Sequence, residues 1–149
     1  MHLDGAARLE QQLVALGKKA AGKVMRPATR AGAKAILPVA KANAQAMIGG
    51  EMGGIIADSL TVRVLKSGQR RRNEVGHQVV ISQKHEEQLV VISKAGRRNY
   101  IPAAIEFGHD EAAPIPFMRA AYDSTARKAL GVIMKQAGLR IEIEARKAT

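Results

Sequence analysis

Few side chains of this 149-residue chain have the types and spacing that catalysis or metal binding requires. Four histidines are scattered along it: His2, His77, His85 and His109. None has His-Glu-x-x-His spacing, and the chain has no cysteine, so we expect no zinc site. His109 precedes Asp110 and Glu111, a group that suits metal binding or proton transfer but is more typical of a polar surface turn, which we favour.

No nucleophile or carboxylate pair stands in a catalytic context. The five serines lie outside any Gly-x-Ser-x-Gly nucleophile turn: Ser59, Ser67, Ser82, Ser93 and Ser124. Glu106 and Asp123 are far apart in sequence, so no paired-carboxylate site is indicated. The glycine-rich run 48–54 lacks the Gly-Lys-Ser/Thr ending of a phosphate-binding loop. We therefore predict that the protein is not an enzyme and binds no metal and no cofactor.

The net charge is +11, from 24 basic and 13 acidic residues. Such a surplus attracts polyanions or acidic protein surfaces, although a solvated basic surface without a specific ligand is the simpler alternative. Five arginines stand in two predicted loops and are candidate protein-interface or DNA-facing residues: Arg70, Arg71, Arg72, Arg97 and Arg98. Aromatic residues are 3% of the chain, and no helix-turn-helix or RNA-binding motif is present, so no sequence readout is expected.

The composition predicts a thin hydrophobic core and gives no sign of a membrane-spanning segment. Hydrophobic residues are 46% of the chain, but many are alanine, so the core must be thin or shared with another chain. No apolar run approaches the ~20 residues of a membrane span, and the first residues lack the pattern of a signal peptide. We expect no membrane association.

The first third of the chain is predicted to be helical. Apolar residues recur at helical spacing over residues 3–48, with Pro27 expected to kink or restart the helix and Pro38 to kink it again. This arm holds eight basic and two acidic residues. The glycine-rich residues 49–54 then predict a hinge.

Beyond the hinge, apolar residues alternate with a period of two. Strands are predicted at 60–66, 77–82 and 88–93, forming one small antiparallel sheet. A helix that begins at Pro116 and runs to about Ala137 is expected to cover it, because such a sheet needs a covering layer. Residues 139–149 alternate again and predict a short final strand, with a frayed end of the helix as the alternative. The chain is thus predicted to be one α+β domain, with the sheet and C-terminal helix in residues 55–149.

Residues 100–121, YIPAAIEFGHDEAAPIPFMRAA, contain both phenylalanines and three of the five prolines. We interpret them as a structural anchor on which the C-terminal helix packs, with these principal residues: Tyr100, Glu106, Phe107, Gly108, Pro116 and Phe117. The rings of Tyr100 and Phe107 are expected to face inward with Ala104 and Ile105. The Glu106 carboxylate is expected to bond turn amides or to pair with an arginine, either Arg119 or one of a neighbouring subunit, because an unpaired buried charge is costly.

This segment resembles the tail-completion family of long-tailed, lambda-like bacteriophages (siphoviruses), also described as tail-component proteins. Members show Tyr-Ala-x-x-x-Glu-Phe-Gly-Thr, a short polar loop, and then Pro-Phe-Met/Leu-Arg-Pro-Ala before a terminal helix. Here these become Tyr100-Ile101, then Glu106-Phe107-Gly108-His109, and later Pro116-Phe117-Met118-Arg119-Ala120-Ala121. His109 replaces the usual threonine, and GGEMGGIIADSL stands where the family has Pro-x-x-Thr-Gly-x-Leu.

The resemblance implies a structural virion protein that is assembled in the host cytoplasm and acts in the phage neck. It implies a homo-oligomeric ring, usually a hexamer, between neighbouring neck and tail-tube proteins, with double-stranded DNA passing through the centre and no catalytic residues. Two alternatives stay open: a tail terminator that caps the tube, and a stand-alone basic nucleic-acid-binding domain.

Overall fold

The structure, a computed structural model, describes residues 4–66 and 75–147. Within them, helices dominate and strands are short: α1 (Asp4–Leu16), α2 (Lys18–Asn43), α3 (Gly50–Ser59), β1 (Leu60–Val64), β2 (His77–Ile81), α4 (Glu86–Leu89), β3 (Val90–Ile92), β4 (Arg98–Tyr100), α5 (Ile101–Phe107) and α6 (Phe117–Lys147). A π-helical turn (Ala44–Ile48) follows α2, and a 3-10 turn (Gln83–His85) precedes α4. The predicted α+β class is confirmed.

The N-terminal helical region breaks at Gly17 and not at Pro27. Gly17 has a φ of +78°, which glycine adopts without steric cost, whereas α2 continues through Pro27 and Pro38. The expected restart at Pro27 is therefore wrong. An interior proline costs about 3 kcal/mol, but Val24 and Ala28 on either side of Pro27 are fully buried, and this burial offsets the lost backbone hydrogen bond.

The glycine-rich segment is mostly helix. The structure confines the non-helical backbone to Gly49, and α3 begins at Gly50 and includes the glycines that predicted an extended hinge over 49–54. Ile56 and Ala57 on α3 are 0% and 3% exposed, so their burial outweighs the low helix propensity of the preceding glycines.

The three predicted strands are present, but they do not form one sheet. β1 pairs with β2, and β3 pairs with β4 in a separate antiparallel ladder. Residues 83–89 turn helically between β2 and β3 and bury Leu89 completely, which separates the two ladders along the chain. The sequence Arg-Asn-Tyr of β4 lacks apolar alternation and gave no strand signal. It pairs through its backbone across the turn closed by the Ser93 amide and the Arg97 carbonyl, 2.9 Å apart.

The chain divides into two compact units with separate cores. The first unit comprises Met1–Ala35, Val62–Gln78 and Arg127–Thr149, and the second comprises Ile36–Thr61 and Val79–Ala126. In the first unit, α2 and α6 bury four residues against each other: Val24, Ala28, Ala137 and Ile141. Leucines of α1 cover this core.

The second unit is organised around the beginning of α6. Phe117 and Ala121, 1% and 0% exposed, pack with Leu60 of β1, Leu89, and partly buried Val79 of β2. This confirms that the C-terminal helix packs on the sheet formed by β1 and β2.

The C-terminal residues are helical, so the predicted final strand and the helix end at Ala137 are both wrong. Ala137 and Ile141 are one helical turn apart and are 0% and 6% exposed, whereas Leu139 and Ile143 are 49% and 50% exposed. The apparent alternation was therefore coincidental, because only the i, i+4 pair is buried.

Two glycines of α2 are predicted to respond in opposite ways to alanine. A β-carbon at Gly32 would lie 2.5 Å from Ile133 Cγ1 and 3.3 Å from the Ala129 carbonyl oxygen, whereas one at Gly22 meets no atom within 4 Å. Overpacking costs about 1–3 kcal/mol and the helix-propensity gain is about 1 kcal/mol. Urea unfolding should show Gly22→Ala stabilised by up to about 1 kcal/mol and Gly32→Ala destabilised by about 1 kcal/mol. Equal stabilisation of both variants would contradict the close approach of α2 and α6.

Candidate functional site

The N-terminus of α6 is capped by a side chain from another helix. The first amides of a helix have no intrahelical acceptor, and Pro116, which precedes α6, offers no side-chain oxygen. The carboxylate of Glu106 on α5 fills this role: Oε2 accepts from the Met118 amide and Oε1 from the Arg119 amide, each at 2.9 Å. A negative charge there also interacts favourably with the helix dipole. Glu106 thus bonds amides, one of the two expected alternatives, and Arg119 contributes its backbone and not its guanidinium.

A tight turn brings Glu106 back to α6. His109 and Ala112 exchange two backbone hydrogen bonds of 3.0 Å, and the Glu111 amide donates to His109 Nδ1 at 3.3 Å. Gly108 has a φ of +74°, and a β-carbon there would lie 2.9 Å from both the Ala112 oxygen and the Pro114 nitrogen. The turn therefore requires glycine at this position. His109 lies in the polar turn that we favoured over a metal site.

Further bonds fix the start of α6 in the second unit. The Ile115 amide donates to the Ile105 carbonyl at 2.7 Å, and Asn43 Nδ2 donates to the Phe117 carbonyl at 3.2 Å. The Phe117 ring is 1% exposed. Glu106, Gly108, Pro116 and Phe117 consequently lie in one connected arrangement.

Tyr100 and Phe107 are exposed, which contradicts the expectation that they face inward. Phe107 is 72% exposed and Tyr100 is 41% exposed. The reason is that α5 is a helix, so Phe107 lies about 200° around the axis from Ile105, which packs against the core. Tyr100 ends the short strand β4, where desolvation and then the Glu86 charge raise its pKa.

The predicted basic residues are only partly within the described chain. Arg70, Arg71 and Arg72 lie outside the described residues. Arg97 and Arg98 are exposed, and Arg98 forms an ion pair with Glu86. The turn between β3 and β4 therefore presents Lys94 and Arg97 to solvent.

An ion cluster that sequence reasoning missed joins the end of α3 to the 3-10 turn. Asp58 Oδ2 accepts from Lys84 Nζ and His85 Nε2, each at 2.7 Å. The hydrogen bond from Lys84, and then that from His85, lowers the pKa of Asp58 to about 2. The partners are 26 and 27 residues from Asp58, so no local motif revealed them. Over residues 4–66 and 75–147, no group of three or more His, Asp or Glu side chains is arranged to hold a metal.

Comparisons with protein-family models, with curated proteins and with solved structures give no match. Among the described helices, none is long and apolar enough to cross a membrane.

Removing the Glu106 carboxylate is predicted to weaken the start of α6. Loss of a helix cap costs about 0.5–2 kcal/mol, and bonds to a charged group lie at the upper end. We expect Glu106→Ala to lower the free energy of unfolding by about 2 kcal/mol, with Glu106→Gln losing about half as much because it keeps one acceptor. Chemical denaturation measures both. The exposed Glu111→Ala is the matched control and should change stability by less than about 0.5 kcal/mol. A loss in Glu111→Ala as large as in Glu106→Ala would refute the capping role.

The two phenylalanines are predicted to differ in how much each contributes to the free energy of unfolding. Phe117→Ala should cost about 3–5 kcal/mol because its ring is fully buried. Phe107→Ala should cost less than about 0.5 kcal/mol when unfolding is measured on dilute, unassociated protein, because its ring is mostly exposed. Similar losses in the two variants would mean that Phe107 is packed within the chain.

Proposed function

We propose that this chain is a tail-completion (neck) subunit of a tailed bacteriophage, and that it assembles into a homo-oligomeric ring at the head–tail junction. One observation carries the proposal. In the Glu-Phe-Gly…Pro-Phe-Met-Arg motif on which the resemblance rests, Glu106 and Phe117 have roles within the chain, but Phe107 is 72% exposed. A large aromatic side chain in this position suits burial against a neighbouring subunit.

Other exposed apolar side chains of the second unit support association. Val91 and Ile92 on β3 are 52% and 68% exposed, and Tyr122 near the start of α6 is 60% exposed. An isolated two-stranded ladder such as β3–β4 is marginally stable in water, so cover from a neighbouring subunit would stabilise it. Subunits completing one another's burial also fits the alanine-rich cores.

Two charged turns of the second unit support a head-to-tail contact. The turn between β3 and β4 presents Lys94 and Arg97, and the turn before α6 presents Asp110 and Glu111; all four side chains are exposed. A cyclic ring needs two different, complementary surfaces on each subunit. Opposite charges on separate turns supply such complementarity and would favour one register of association.

Assembly of the purified protein tests the ring. Native mass spectrometry should give a discrete closed oligomer, and Phe107→Ser should shift the population toward monomer while circular dichroism stays unchanged. Arg97→Glu should weaken assembly, and combining it with Glu111→Arg should restore it if the two turns meet. Arg119→Glu is the control for a charge reversal elsewhere on the unit. A wild-type protein that stays monomeric at tens of micromolar would count against the ring.

The place in the virion needs a phage carrying the gene. Disruption of the gene should leave complete heads and complete tails that fail to join, as seen by electron microscopy. Tails of irregular length would instead indicate the tail-terminator alternative, because a terminator sets where the tube ends. Normal infectious virions would exclude both.

A further inference from the structure

Among the described residues, the net positive charge lies in one of the two units. Among the described residues, the first unit has fifteen basic and four acidic side chains, a net charge of +11. The second unit has six basic and eight acidic side chains, a net charge of −2. The basic surplus is therefore a property of the first unit and not of the chain as a whole.

Within the first unit, α2 carries a continuous line of cations. Five exposed basic residues follow each other at steps of three or four and form what we call the basic ridge: Lys19, Lys23, Arg26, Arg30 and Lys34. At 3.6 residues per turn they fall within about 80° of one another around the helix and span about 22 Å. No acidic residue occurs anywhere in α2. Val24 and Ala28, on the opposite side, are 0% exposed, so packing fixes which side faces solvent.

We propose that the basic ridge binds the phosphate backbone of double-stranded nucleic acid without reading its sequence. The proposal concerns the first unit alone and does not depend on ring formation. A row of cations about 22 Å long, repeating at steps of three or four residues, matches a polymer whose anions are also regularly spaced along a stiff rod. Lys and Arg are the side chains that contact phosphate oxygens, and no Asn or Gln of α2 stands in the ridge to read base edges.

The distribution of aromatic residues favours a duplex over a single strand. Proteins that hold single strands stack the bases on aromatic rings. All four aromatic side chains of this protein lie in the second unit: Tyr100, Phe107, Phe117 and Tyr122. The first unit thus offers charge without stacking, which suits a partner whose bases are already paired.

A groove at the N-terminal end of the ridge adds to the phosphate-binding surface. Its volume is about 530 Å³, and four basic residues line it: Lys18, Lys19, Lys23 and Arg26. The hydrogen bond from Lys147 Nζ, 2.8 Å long, is the main cause that lowers the pKa of Glu144, and the charge of Lys23 contributes less, so Glu144 is bonded to Lys147 and not to the ridge. The ridge therefore retains most of its charge for a partner.

Fluorescence anisotropy with labelled 30-base-pair duplexes of mixed sequence, one of DNA and one of RNA, tests the proposal. Five phosphate contacts predict that log K falls against log salt with a slope of about −4.5 for the DNA duplex. The triple variant Lys23→Gln, Arg26→Gln, Arg30→Gln should make the slope shallower, at about −2, and should weaken binding at least tenfold at about 0.1 M salt. The matched triple variant of the second unit, Lys94→Gln, Arg97→Gln, Arg119→Gln, removes the same charge. Both triple variants are compared in the Phe107→Ser background, because Lys94 and Arg97 also stand in the proposed subunit contact, and the second-unit variant should stay within about twofold of its parent.

Three outcomes would overturn the ridge as a duplex-binding surface. Equal losses of duplex affinity in the two triple variants would mean that binding depends only on the net charge of the protein. Tighter binding of a 30-nucleotide single strand would contradict the duplex preference. Displacement of the duplex by polyglutamate at equal charge concentration would indicate an acidic protein partner instead. Phe107→Ser separates this proposal from the ring, because it should abolish assembly but leave duplex binding by each subunit in place.

Discussion

The start of α6 in the second unit depends on the two hydrogen bonds that the Glu106 carboxylate accepts. Because Pro116 has no side-chain oxygen with which to cap the helix, the Glu106 carboxylate accepts hydrogen bonds from the Met118 and Arg119 amides near the start of α6. Those bonds require α5 to end in the sharp turn at Gly108, and they set the position from which Phe117 enters the core. A 31-residue helix thus has its starting residue fixed by a contact made outside it.

The sequence predicted secondary-structure elements and buried residues correctly where a local residue pattern and burial favoured the same result. The strands β1, β2 and β3 follow β-branched runs, and Phe117 is buried as its place after Pro116 indicates. The sequence also predicted that the Glu106 carboxylate needs partners, and the structure supplies two backbone amides. It could not distinguish amide from arginine partners, because that choice depends on how the chain returns after Gly108.

The errors arose where burial overrode a local pattern. Interior prolines and glycines suggested breaks in α2 and α3, yet buried residues beside them keep both segments helical. The alternation after Gly138 mimicked a strand, although only Ile141 of its apolar residues is buried. Phe107 was placed inside because large rings usually are, but a helical α5 turns it away from Ile105. A strand places residues two apart on one face, whereas a helix places them about 200° apart, so in the helical C-terminal residues Leu139 and Ile143 lie away from the buried Ile141.

The confinement of every aromatic residue to the second unit also has an optical consequence. With no tryptophan in the chain, ultraviolet emission and near-ultraviolet circular dichroism arise from Tyr100 and Tyr122, with a smaller part from the two phenylalanines. These signals report the second unit alone, whereas far-ultraviolet dichroism reports the helices of both. The two spectral regions therefore act as separate built-in probes of the two units. Coincident transitions in them would show that the units unfold as one cooperative system, and separated transitions would show that each core melts independently.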